Sequence, residues 1–151
     1  MSMQRLILEK MKEKLLELAW VNTVDYEKIR LFESDFHEHE LPLIQMYDQR
    51  ERSKHVQGRT QVEWSVSVEV VMQSKETDIV DQGVLLDRKF EVKKKIGENV
   101  RLDLGQEPAT TGRFIHMAYR GSLTDLHLIP PMFMARLDFD ALYEEPYTGI
   151  C

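Results

Sequence analysis

Only one of the 151 residues is a cysteine, and it is the last, Cys151. A single thiol excludes an intrachain disulfide and any C-x-x-C metal clip, and a nucleophile at a chain end has no rigid frame to aim it. No stretch approaches the roughly 20 apolar residues that a membrane-spanning helix needs. The opening segment is interrupted by Glu9, Lys10 and Lys12 before a signal-peptide core can form, so the expectation is no membrane association and residence in the cytoplasm. The seven glycines are scattered, and none builds a G-x-G-x-x-G or G-x-x-x-x-G-K-[ST] phosphate cradle. There is no G-x-S-x-G elbow and no H-E-x-x-H pair. The net charge of −6 leaves too little basic surface for a duplex-DNA binder as a whole. The expectation is a protein that works by its surfaces, not an enzyme and without a cofactor.

What the chain does have is strand alternation. Val62, Trp64, Val66, Val68, Val70 and Met72 share one parity, while Glu63, Ser65, Ser67 and Glu69 take the other. Side chains in a strand point alternately to opposite faces, so one face is apolar and the other polar. Phe133, Ala135, Leu137, Phe139, Ala141 and Tyr143 repeat the pattern against Met134, Arg136, Asp138 and Asp140. Two one-sided strands imply an antiparallel sheet covered on one face. Trp64, on the apolar parity, is expected in the core rather than as a surface anchor.

Helical spacing supplies the cover. Met3, Ile7, Met11, Leu15 and Leu18 recur at three- and four-residue steps, which predicts an amphipathic helix over about 2–20. A second helix is expected after Ser74 to Asp78, with Ile79, Gly83, Leu86 and Phe90 as its buried stripe and Gly97 as its stop. Ile29 to Phe32 reads as a short strand, Leu43 to Tyr47 as the next, and Phe114 to Leu128 as a less regular strand with both faces partly buried. Arg101 to Gly112 reads as a loop. The fold class is therefore α+β: a single mostly antiparallel sheet of four to five strands with two helices packed on one face, in the order αβββαββ. One domain spans 1–151, with a polar arm or loop over about 48–59 and a loose tail over about 144–151.

Two clusters carry chemical interest. His37 and His39, in the acidic stretch Glu33 to Glu40, would project together if extended and are weak candidates for a metal site. That stretch equally suits a solvated loop, since no third histidine lies near and a metal needs three or four held ligands. Arg50, Arg52, Lys54, His55 and Arg59 form a basic run against one acid, Glu51. It reads as a solvated loop, as an arm docking on acidic surface of a neighbouring subunit or tube ring, or as a contact to passing nucleic acid. No aromatics interleave it, which disfavours stacking on single strands.

Lys28 to Phe32, Leu41 to Tyr47, the polar loop running into the strand at Arg59 to Gln73, the helix from Thr77 and the closing strand Phe133 to Tyr143 together resemble the tail terminator (neck) proteins of tailed bacteriophages. The resemblance spans nearly the whole chain and rests on burial patterns rather than catalytic signatures. The acidic His37-Glu38-His39-Glu40 stretch departs from it. It implies a virion structural protein at the tail or neck, assembled in the host cytoplasm. Such a protein forms a ring, usually a hexamer, that caps the tail tube, stops its polymerisation and offers the head-tail joining surface. The implied partners are further copies of the chain, the tube protein, the head-tail connector or stopper and a sheath terminal ring, with DNA only passing through the lumen. A metal- or small-ligand-binding domain using His37 and His39 is the alternative from another class. An end cap of a related contractile injection system shares the ring logic.

Overall fold

The computed structural model describes residues 2–26, 37–73, 78–104, 112–124 and 132–146. The chain opens with α1 (Met3–Leu15), whose first free N–H groups are met by Ser2: its hydroxyl accepts from the Arg5 amide at 3.2 Å. Met3, Ile7, Met11 and Leu15 are the buried stripe, as the spacing predicts, but the helix stops at Leu15 and residues 16–20 form turns. The short strand expected at Ile29 to Phe32 lies outside the described residues. The first strand observed is β1 (Thr23–Asp25), where the sequence suggested only a helix end. It runs parallel to β2 (Leu43–Val56), while β3 (Arg59–Gln73), β4 (Arg113–Thr124) and β5 (Met132–Pro146) add antiparallel neighbours. The resulting five-stranded sheet has the order β1-β2-β3-β5-β4, with the two long central strands β3 and β5 paired from Arg59↔Pro146 to Gln73↔Met132.

The core lies between this sheet and the helices. Val62, Trp64, Val66, Val68, Val70 and Met72 from β3 meet Ala135, Leu137, Phe139, Ala141 and Tyr143 from β5, and α1 and α2 (Asp78–Leu104) cover them. Each fully buried valine, leucine or phenylalanine contributes about 1.5–3 kcal/mol of transfer free energy, which makes this layer the main source of stability. Trp20, just past α1, clasps the second helix. Its indole N–H donates to Glu91 at 2.6 Å, the Arg88 guanidinium lies 4.9 Å from its ring centre, and Glu17 pairs with Lys95 at 2.7 Å.

The second helix departs from the expectation in two ways. It continues through Gly97 to Leu104, so the expected stop does not end it and the start of the expected Arg101–Gly112 loop is helical. Among its described side chains Leu85, Val92 and Ile96 are buried, whereas Leu86 and Phe90 are 54% and 64% exposed; the side chain of Ile79, also expected in the stripe, lies outside the described residues. Both stripes have helical spacing and lie about 100° apart around the helix; the one with Leu85, Val92 and Ile96 packs into the core. The β2–β3 connection takes the hairpin form of the expected arm: β2 runs to Val56, Gln57 and Gly58 make the turn at positive φ, and Arg59 begins β3. This arm is not free-standing, since β5 backs it as far as Pro146, and the strand there reaches past the Glu144 at which a loose tail was expected to begin. Residues 147–151 lie outside the described residues.

Candidate interaction surface

No helix among the described residues covers the second face of the sheet, yet it is not simply wet. Gln45, Ser67 and Glu69 are buried there, contrary to a solvated polar parity, and Leu43, Val71 and Met134 make a small apolar patch beside them. The reason is lateral: each polar side chain is capped by the one across the strand. Glu69 accepts from Gln45 Nε2 at 2.8 Å and, in a very short bond, from the Tyr47 hydroxyl. Burial first, and then this bond to a carboxylate, push the Tyr47 hydroxyl up to about 12 against the opposing charge of Arg136.

Further along, Ser65 donates to Asp140 and Ser67 to Asp138, both at 2.7 Å. Arg120 Nη1 closes on Asp140 Oδ2 at 2.5 Å, and Arg136 faces Asp138 with Nη2 donating to Oδ2 at 3.4 Å. Arg136 Nε sits 3.2 Å from Asp138 Oδ1, close enough for an ion pair but without hydrogen-bond geometry. Burial alone would raise the Asp140 carboxyl. The hydrogen bonds from Ser65 and Arg120, with the Arg120 charge, outweigh that and hold it below its ordinary value. These groups line a cleft of about 650 Å³ between Arg50 on one side and Leu123 on the other.

Local irregularity shapes the cleft. A bulge between Asp48 and Arg50 shifts β2 by one residue, and two more, at Phe114/His116 and Tyr119/Gly121, interrupt β4. A bulge bends its strand and re-aims the following side chains. After the bulge in β2, Arg50, Arg52 and Lys54 stand opposite Ser65, Glu63 and Gln61, on the uncovered face. All three are exposed, and none has an ion pair among the described residues. Beyond Gln45 the outer edge of β2 pairs with no described strand.

The five residues of the basic run are therefore not one patch. Arg50, Arg52 and Lys54 form a ridge. Arg59 shares its face but lies 3.6 Å from Glu144, while His55 projects to the opposite face, its Nδ1 3.0 Å from the Thr60 hydroxyl. His37 and His39 stack, ring centres 5.7 Å apart, and among the described residues no group of three or more His, Cys, Asp or Glu side chains is placed to hold a metal ion. The Ser65–Ser67–Asp138–Asp140 network was not singled out from sequence. Its signal, hydroxyls and carboxylates on the polar parities of two strands, is visible only once β3 and β5 are known to be neighbours.

No protein-family model matches the chain, and no curated protein does. Among solved structures it is similar to a chain of the structure titled "Virion of native gene transfer agent (GTA) particle", with a TM-score of 0.57 and 12% identity, over 91% of this chain and 93% of that one. What the two share is the fold. The likeness takes in nearly the whole length of both chains and so is one of overall fold rather than of a fragment.

Proposed function

We propose that this chain is a structural protein of a phage-like virion that acts by closing into a ring, a hexamer in the tail-terminator pattern, at the end of a tail tube. In this role it stops tube growth and offers a surface to the head-tail connector. The observation that carries the reading is the end-to-end structural likeness to a chain of a gene transfer agent virion, joined to an element order that resembles tail terminators. The surface chemistry is of the same kind. A sheet covered on one face keeps its other face and its β2 and β4 edges for neighbours, and contacts between two different patches close into rings when the rotation permits. The function proposed is non-catalytic, and the partners are other copies, the tube protein and the connector.

Light-scattering mass at several concentrations, alone and with purified tail tubes, tests self-association. A ring mass, in solution or on tubes, is the expected result. A monomer under all conditions would overturn the reading.

A further inference from the structure

One apolar stripe of α2 is left over once the core is made. Leu85, Val92 and Ile96 hold the helix to the core, while Leu86 and Phe90 are the two most exposed large apolar side chains among the described residues. Four residues apart, they are neighbours on the helix surface and form one patch. Continued in both directions at steps of three and four, the stripe runs Gly83, Leu86, Phe90, Lys93, Gly97, which is the seam spacing of a two-helix coiled coil. A Cβ at Gly83 or Gly97 would meet nothing within 4 Å, so the space beyond both ends of the patch is open. The Lys93 ammonium lies 4.3 Å from the Tyr119 ring centre, which draws its charge off the stripe and leaves its alkyl stem to it.

We infer that α2 pairs with α2 of a second copy, antiparallel and centred on Phe90. The charges beside the stripe select this occupant. Asp87 precedes Phe90 by three residues and Lys94 follows it by four, and at 100° per residue both stand on the same flank of the stripe. At 1.5 Å per residue they lie about 4.5 Å before and about 6 Å after Phe90 along the axis. Turning a second helix end for end about Phe90 therefore sets Asp87 of each copy beside Lys94 of the other, giving two opposite-charge pairs. Both residues are exposed and neither has an ion pair among the described residues, so nothing described is broken to form them. The same reversal places Gly83 against Gly97, where two backbones can approach, and Leu86 against the stem of Lys93. A parallel pairing would instead set Lys89 of one helix beside Lys94 of the other, like against like. The contact is isologous and closes at two copies. It uses neither the open face of the sheet nor the β2 and β4 edges, so the inference goes beyond the ring reading and does not depend on it. Two helix faces bury little beside the roughly 1,200–2,000 Å² of a standard interface, so pairing belongs to high protein concentration.

Sedimentation equilibrium of the full chain without tubes tests the pairing. The wild-type mass should rise toward twice the monomer as concentration rises, and Phe90→Glu, folded by circular dichroism, should stay monomeric. A wild-type chain that remains monomeric at every concentration overturns the inference, and that is the result expected if another segment of the same chain covers the stripe. Self-association that Phe90→Glu leaves unchanged also overturns it and leaves the ring reading standing. Charge exchange supplies a second readout that survives if Phe90→Glu fails to fold, because the substituted side chains are exposed. Asp87→Lys and Lys94→Asp should each raise the dimer Kd by about tenfold, since both pairs turn repulsive. Mixing the two variants, or combining them in one chain, should restore the wild-type Kd. No recovery in either case would overturn the antiparallel pairing.

Discussion

The Trp64 indole N–H donates to the Asp48 carboxylate at 2.7 Å, joining the one aromatic of β3 to the residue just before the bulge of β2. Trp64 is 1% exposed, so it serves the core, and its only polar atom is satisfied at the point where the arm changes register. Removing the acceptor leaves a buried N–H without a partner, at about 1–3 kcal/mol. Asp48→Ala should lower stability by that amount in urea unfolding, and Asp48→Asn, which keeps an acceptor oxygen, should recover most of it. Equal losses in the two variants would show that the bond contributes little.

The two apolar stripes of α2 differ in burial and therefore in cost. Ile96 is fully buried and Phe90 is 64% exposed. Ile96→Ala should destabilise the protein by about 2–5 kcal/mol, as large-to-small changes in packed cores do. Phe90→Ala should stay within roughly 0.5 kcal/mol. Thermal melts of the two variants check the order, and a reversed order would mean that the Leu86–Phe90 stripe covers the sheet.

That helix also marks where the sequence stopped being legible. The alternation at Val62 to Met72 and the four-residue steps of α1 each offered one apolar face, so burial followed directly, and Val66 and Val68 are fully buried. Along α2 two apolar stripes lay side by side, and only packing against the sheet chooses between them. The stretch 48–56 looked like a loop because every residue but Val56 is polar; it is a strand because β3, itself backed by β5, supplies its ladder. The open-face network was invisible for a related reason: Ser65 and Asp140 are 75 residues apart, and their pairing exists only through the β3–β5 register.

Gly112 sits at φ +108°, and a Cβ there would lie 2.2 Å from the Glu144 carbonyl oxygen. Both the backbone conformation and the contact exclude a side chain. Gly112→Ala should shift the start of β4 away from β5 and destabilise the protein by several kcal/mol, read as a drop in Tm of about 2–4 °C per kcal/mol for a chain of this size. A Tm within a degree or two of wild type would contradict the close approach.

Asp140 provides a pH test. Its carboxyl is held below the ordinary range in the folded state, so the unfolded chain binds its proton first as pH falls. The stability it contributes is present above the unfolded value near 4 and is lost as pH drops through the lower folded value. Unfolding free energy measured across acid pH should show this slope in the wild type and a shallower one in Asp140→Asn. An identical slope would mean that Ser65 and Arg120 do not hold the charged form.

The length distribution of tail tubes assembled from purified tube protein tests the central claim most directly. With this protein present at the end of polymerisation, tubes should stop at defined lengths and carry one added disc at a single end in negative stain. Tubes that grow to the same distribution with and without it, and that carry no disc, would contradict the capping role.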